Sequence, residues 1–439
     1  MIEIFSIYLQ LVIFLIIFQF PLNKSILKKI GYIEDNYFNI LIYNILIQSF
    51  FYLFISFIAF NFKIYFYLQI FFGIIFLLFN FLNAYKYKKN IIFDNISMIL
   101  IFILLNLILF THVAFNLKLE WDALAHWLQK AQVFYQNGTY EDIKNVSFSY
   151  YPHFGSFLWG FFWKSSFVQY EYLGRLILPF FYLSGIFFCV SNLFKKKDYL
   201  IKATILLLIL TLTLDYYLFG GYQDYYLFFE LLIFSKIFYD YQRQKHSNLY
   251  FILLLVSLVL ILWTKQEGFF YNIILSLVFI FFCNKNYKIR FLFLLFVLIS
   301  MLLQIYLKNI FIGSFEFNEK ILHQDLFKYL NVTHFFDTLT LISKHIIISM
   351  FKYPIWILVF LILVFSKFFN NDNYFVNYSL FYLIIFFLFV YAIYFQTRMN
   401  LEFLLPITID RILLQGSGFM IYPLLLYFEN FIQKRFFKK

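Results

Sequence analysis

The sequence predicts an all-α polytopic membrane protein with about thirteen transmembrane helices. Three observations carry this. First, 63% of the 439 residues are hydrophobic and only 13% are charged, with a mean hydropathy of +0.79. Soluble domains carry about 25% charged residues, so a soluble enzyme, a disordered chain and a nucleic-acid-binding domain are all excluded. Second, the apolar residues fall into uncharged runs close to the length that crosses a hydrocarbon core about 30 Å thick. Third, Lys and Arg concentrate in alternate connecting segments, the pattern of loops that stay in the cytoplasm. The net charge of +12 is therefore assigned to those loops and not to a nucleic-acid partner.

Taken in order, the predicted spans are 4–20, 39–60, 64–82 and 96–115, then 173–193, 200–219, 225–239, 249–263, 269–282 and 291–311, and finally 346–365, 375–395 and 412–431. Each is justified by an apolar run bounded by polar or basic residues. Three of the middle runs are short, which leaves their ends loosely fixed. The N-terminal three spans, 1–94, form an extension. A central part covers 95–312, and the remaining spans lie in 313–439.

The basic segments alternate with these spans. They hold Lys24, Lys28 and Lys29; Lys86, Lys88 and Lys89; Lys195, Lys196 and Lys197; Arg243 and Lys245; Lys285, Lys288 and Arg290; Lys367; and Lys434, Arg435, Lys438 and Lys439. A missed span would scramble this alternation, so it supports the count as well as the orientation. The N-terminus carries Glu3, lacks a basic stretch and shows no cleavage site, so it is not expected to be a signal peptide. Cys189 and Cys283 lie in or beside apolar runs and are expected to pack as small hydrophobes. The 70 Phe and 37 Tyr suit lipid-facing surfaces. They share A/T-rich codons with Ile, Asn and Lys, so their abundance is no signal for sugar stacking.

Two outward segments, 116–172 and 313–345, exceed the two to eight residues usual between packed helices. Long loops on a rigid bundle are where function tends to sit. The first opens with Leu119-Glu120-Trp121-Asp122-Ala123-Leu124-Ala125-His126-Trp127-Leu128. Trp121, Leu124, Leu128 and Ala131 recur at helical spacing and predict an amphipathic helix on the membrane surface. Asp122 and His126 are four apart and share one face. An interfacial anchor with a solvated Asp–His pair is the plainer explanation. Further on, Tyr150 to Gly160 is apolar but too short to cross without inverting every later loop, which predicts a re-entrant or surface helix. His153 within it is expected to be structural.

The next outward turn is Phe219-Gly220-Gly221-Tyr222-Gln223-Asp224, with Glu230 about two turns deeper. Acidic groups at such depth are functional by default, or pair with a neighbouring lysine. A further turn, Trp263-Thr264-Lys265-Gln266-Glu267-Gly268, offers Lys265 to an anion or to Glu267. The last outer segment holds Arg398 and then Pro406-Ile407-Thr408-Ile409-Asp410-Arg411, where Arg411 could grip a phosphate with two donors or anchor to a headgroup. Asp122, Asp224, Lys265 and Arg411 thus share one face of the membrane. That face combines carboxylates able to take a proton with cations able to hold a phosphate.

In this arrangement the chain resembles the bacterial GT-C membrane glycosyltransferases, the group of the protein O-mannosyltransferases and the lipid A aminoarabinose transferase. The matching positions are Asp122 at the start of the first long loop, Asp224 in the Gly-Gly-Tyr-Gln-Asp turn, the helix-like stretch from Tyr151-Pro152 to Trp159, Lys265-Gln266-Glu267-Gly268 and Asp410-Arg411. The likeness is good over about 96–311 and loose elsewhere; the three N-terminal spans depart from it. It implies a GT-C-like core with surface helices in the long first outer loop, 116–172. It also implies a polyprenyl-phosphate-sugar donor and a site at the outer face of the plasma membrane, facing the periplasm or exterior, in building a cell-envelope glycan. Asp122 and Asp224 are the implied catalytic pair; Glu120, His126, Lys265, Glu267 and Arg411 are the implied substrate-binding residues. Glu120 and Asp122 have one residue between them and cannot share a helix face, and Asp122 is preferred because His126 lies on its side. Asp122 would be the general base of an inverting transfer, with Lys265 and Arg411 stabilising the leaving phosphate. Asp224 would tune Asp122, contact the acceptor or hold a divalent cation; no other cofactor is called for. With no large soluble domain at either end, a lipid or glycan acceptor is expected over a peptide. The competing expectations are an O-antigen-type glycan polymerase or ligase, and a lipid-linked sugar transporter or flippase. The first usually carries its large loop late and relies on Arg pairs. The second relies on broken helices and inverted repeats, and the chain has only 13 Gly and 6 Pro with no matching halves.

Overall fold

The computed structural model describes residues 2–29, 36–58, 61–86, 96–193, 198–243, 248–283, 286–313, 332–368, 373–396 and 400–436. Every regular element among them is helical. In hydrocarbon a backbone has no water to bond, so apolar segments satisfy their own polar groups by coiling into helices. The order is α1 (Ile2–Ile17), α2 (Lys24–Lys29), α3 (Tyr37–Ile55), α4 (Phe62–Lys86) and α5 (Ile96–Phe115). A π turn (Ala123–Leu128) leads into α6 (Gln129–Tyr135), followed by α7 (Phe154–Ser165), α8 (Glu171–Arg175), α9 (Ile177–Ser191) and α10 (Tyr199–Thr213). Then come α11 (Asp224–Arg243), α12 (Asn248–Thr264), α13 (Glu267–Phe282), α14 (Tyr287–Phe311), α15 (Val332–Lys352), α16 (Ile355–Phe368), α17 (Asn373–Gln396) and α18 (Leu401–Phe436).

Among the described residues, seven helical stretches are long and apolar enough to cross a membrane: Tyr37–Ile55, Phe62–Phe79, Ile96–Phe115, Glu171–Ser191, Tyr287–Phe311, Asn377–Gln396 and Leu401–Asn430. Four shorter apolar helices accompany them, Glu3–Ile17, Tyr199–Thr213, Asn248–Thr264 and Glu267–Phe282. Large apolar side chains stand exposed along α4, α5 and α14, among them Phe71, Leu100, Leu104, Leu302 and Tyr306. A surface of this kind suits contact with lipid. The chain is an all-helical protein whose helices suit a membrane.

The centre of the bundle is α11, buried over most of its length between α9, α12 and α18. Small residues allow the close approach. A Cβ at Gly418 would strike the backbone carbonyl of Phe228, and one at Gly268 would strike that of Ile261. The three central helices run antiparallel. Asp224 opens α11, Thr264 closes α12 and Glu267 opens α13, so these residues share one end of the bundle, while Arg243 closes α11 at the other.

Three expectations are corrected. The predicted span 346–365 is two helices, α15 and α16, bent by 98° at Tyr353-Pro354. Proline lacks the N–H the ladder needs and disfavours helical backbone at the residue before it. The helix on its N-terminal side reaches back to Val332, so the latter part of the predicted loop 313–345 is helical; residues 314–331 lie outside the described residues. Of the two alternatives for 150–160, a re-entrant or a surface helix, the second falls: the stretch forms α7, and every residue from Phe154 to Phe162 is buried. Its apolar side chains fill the space against α3, α6 and α12. In the predicted surface helix, Trp121 and Leu124 are exposed whereas Ala123, His126, Trp127 and Ala131 are buried. The π turn carries wider hydrogen-bonded rings than an α-helix and rotates the inward face away from the expected stripe. Lys88, Lys89, Lys195, Lys196, Lys197, Lys245, Lys285, Arg398, Lys438 and Lys439 lie outside the described residues.

Candidate active site

The site is built on two chain turns that dock on each other. In the first, Gly221 has φ +84°, a left-handed conformation open to glycine. A Cβ there would sit 3.1 Å from both Ala123 Cβ and Trp159 Cη2, and one at Gly220 would sit 2.8 Å from Glu120 Cγ. The absence of side chains lets the second turn, which carries Asp122, lie against the first. The Glu120 N–H donates to the Gly220 carbonyl at 3.3 Å. Buried Arg175 braces the glycine turn from behind: Nη1 donates to the Phe219 carbonyl at 2.8 Å, and Nε lies 2.9 Å from Glu171. Asp224 then falls at the N-terminus of α11, where the helix dipole favours an anion. Asp122 immediately precedes the π turn.

The two carboxylates meet at one guanidinium. Arg411 donates from Nε (3.2 Å) and Nη2 (3.1 Å) to Asp224 Oδ2, and from Nη1 to Asp122 Oδ2. The other Asp224 oxygen accepts from Lys265 Nζ at 2.9 Å and from Gln415 Nε2. Lys265 also lies 3.2 Å from Glu267 Oε1. The guanidinium stacks 4.4 Å from the Tyr222 ring centre, a favourable cation–π distance. Thus three carboxylates face two cations.

Access separates the two aspartates. The Asp224 side chain is 0% exposed and that of Asp122 is 19% exposed. An unpaired buried carboxylate costs several kcal/mol, and four donors on Asp224 offset that cost. They also leave it no free face for a substrate. Asp122 Oδ2 is held by Arg411, while Oδ1 lies 3.9 Å from His126 Nε2, beyond hydrogen-bond reach. That oxygen is open to a proton donor from outside. His126 is enclosed by rings, with Phe148 at 3.8 Å, Tyr151 at 4.9 Å and Trp121 at 5.4 Å between centroids. Burial pulls its pKa down from 6.5 to about 4, against the raising pull of Asp122. At neutral pH it is an uncharged wall. Phe148 itself has φ +56°, an uncommon conformation for a bulky residue.

The remaining predicted residues separate from this centre. Glu120 pairs with Lys118 at 3.3 Å on the rim. Glu230 is buried within α11 and accepts from Thr264 Oγ1 at 3.0 and 3.1 Å, while Lys236 pairs with Asp240 at 2.7 Å. The described partner of Glu230 is therefore a hydroxyl and not a lysine, whereas Asp224 does pair with a lysine, Lys265. His153 is structural, with Nε2 2.6 Å from Ser56 Oγ. Among the described residues no group of three His, Cys, Asp or Glu gathers as metal ligands. The Arg411 guanidinium fills the place between Asp122 and Asp224 that a divalent cation would need.

Three contributors went unnoticed in the sequence. Gln415 follows Arg411 by one helical turn, a spacing that was readable. Tyr222 lies inside the singled-out turn. Lys352, next to the Tyr353-Pro354 break, carried no signal; only the fold brings it to Asp410. Comparison with protein families, with curated proteins and with solved structures finds no match to the chain.

Proposed function

We propose that the chain is a membrane glycosyltransferase that moves one sugar from a polyprenyl-phosphate donor to a lipid or glycan acceptor at the outer face of the plasma membrane. The proposal includes thirteen spans, counting α11 and the bent pair α15–α16 with the apolar helices, and a GT-C-like arrangement of the central ones. The observation that carries it is the convergence of Asp122 and Asp224, 102 residues apart in sequence, on the same Arg411 beside Lys265. A site for a sugar phosphate needs a base with access, cations beside it and a dry scaffold that fixes both.

Asp122 is the base. The acceptor hydroxyl gives its proton to Oδ1, its oxygen bonds to the anomeric carbon from the face opposite the phosphate, and the C–O bond to the phosphate breaks. The electron pair leaves on the polyprenyl phosphate, and the configuration inverts. A guanidinium has five N–H donors and an ammonium three, so Arg411 and Lys265 keep donors for the leaving phosphate after serving Asp224. Asp224 is a positioning residue. Its saturated carboxylate holds Arg411 and Lys265 and does not touch substrate, which revises the expectation of a catalytic pair.

The test is Asp122→Asn in the full-length protein. It should express and fold as the wild type and transfer no sugar from a polyprenyl-phosphate donor. Wild-type transfer by that variant would remove Asp122 from its role. The same assay separates the alternatives: transfer of a preassembled chain indicates a polymerase or ligase, and donor movement across the bilayer without chemical change indicates a transporter.

A further inference from the structure

We propose that Lys352 and Asp410 are positioning residues, a clamp from the α15–α16 elbow onto α18 that sets the Arg411 guanidinium between Asp122 and Asp224. The inference rests on the role given above to Arg411. Both oxygens of Asp410 are gripped from α15: Oδ1 by the Ser349 hydroxyl and Oδ2 by Lys352 Nζ at 2.6 Å. The same ammonium lies 3.8 Å from Asp215 Oδ2, which also accepts from the Tyr353 hydroxyl. Asp215 opens the segment that leads through Tyr216–Leu218 and the glycine turn to Asp224. One lysine therefore holds both the helix that bears Arg411 and the strap that bears its carboxylate partner.

The geometry makes this grip directional. Adjacent helical residues point about 100° apart. Holding Asp410 on one flank of α18 therefore fixes where Arg411 points on the other. The helix needs an outside reference here. Pro406, one turn earlier, has no N–H for the ladder and crowds the carbonyl four residues before it. The bond lost is the one to the Glu402 carbonyl, so the first turn of α18 is loosely tied to the turn that carries Asp410 and Arg411, and the contacts from α15 supply the reference missing on that side. Lys352 is 40% exposed and lies 5.4–5.7 Å from the rings of Tyr216, Tyr217 and Tyr353. Exposed ion pairs contribute little to stability, so the effect of the clamp falls on alignment, where small displacements are costly to rate.

The test uses the full-length protein in lipid vesicles with a polyprenyl-phosphate-sugar donor. Lys352→Met and Asp410→Asn should each lower kcat about 10–100-fold, with KM for the donor and the melting midpoint nearly unchanged. Lys352→Arg should recover most of the rate. In an Arg411→Lys background, Lys352→Met should cause no further loss, since the residue it aligns is already altered. Wild-type kcat in both single variants, equal impairment by Met and Arg at position 352, or additive losses would each overturn the clamp. A structure of Lys352→Met supplies an arm that needs no activity. Arg411 displaced from Asp122 supports the inference, and Arg411 still bridging both aspartates overturns it. If the wild type transfers no sugar, the functional reading fails, and this structural arm alone decides the clamp.

Discussion

Replacing Asp224 by Asn should destabilise the protein strongly, whereas the same change at Asp122 should not. Asp224→Asn keeps the shape and removes the charge. Lys265, 3% exposed, and Arg411, 9% exposed in the side chain, are then left buried with too little anion. Each stands about 3 Å from the carboxylate, where a unit-charge pair is worth about 5 kcal/mol at an effective dielectric of ~20. Measured losses on removing one partner of a buried pair are about 3–5 kcal/mol, and that is the magnitude expected. Asp122 is 19% exposed, and its loss leaves Arg411 still paired with Asp224, so it should cost less, about 1 kcal/mol. Thermal unfolding in detergent, followed by tryptophan fluorescence, should show a midpoint several degrees lower for Asp224→Asn and near wild type for Asp122→Asn. Equal midpoints for Asp224→Asn and wild type would refute the view that this carboxylate organises the site.

Other outcomes follow from the same contacts. Arg411→Lys keeps the charge and loses the fork that reaches both aspartates, and should lower kcat about 10²–10³-fold with the protein still folded; steady-state kinetics reads this. Gly221→Ala forces a side chain into a left-handed turn already touching Ala123 and Trp159, and should cost about 1–2 kcal/mol of stability on chemical unfolding. His126 has a folded pKa of about 4, below its unfolded value of 6.5. Its contribution is therefore complete above pH 6.5 and is lost as pH falls from 6.5 towards 4. His126→Phe should flatten the dependence of the melting midpoint on pH across that window, and an unchanged slope would show that His126 is solvated.

Much of the architecture was legible because lipid leaves few choices. Runs such as 96–115 could only be helices, and the observed helix Ile96–Phe115 has the predicted ends. The site was legible through placement. Asp122, Asp224, Lys265 and Arg411 stood at segment ends on one side, and ionisable groups at such positions are expensive to keep. What could not be read was pairing. Whether Glu230 met a lysine or Thr264 depends on how α11 and α12 pack. Lys352 reaches Asp410 only because the chain bends by 98° at Pro354, and no local pattern announces the size of a bend. Access was equally hidden: the two aspartates look alike in sequence, and only packing buries Asp224 and leaves Asp122 an open oxygen.

The most direct measurement is the product made by the purified protein, as the only protein in lipid vesicles, from a defined polyprenyl-phosphate sugar and a hydroxyl-bearing acceptor, with mass and anomeric configuration read by mass spectrometry and NMR. The account predicts one added sugar of inverted configuration from the wild type and no product from Asp122→Asn. Retained configuration, or equal product from the two proteins, would contradict it.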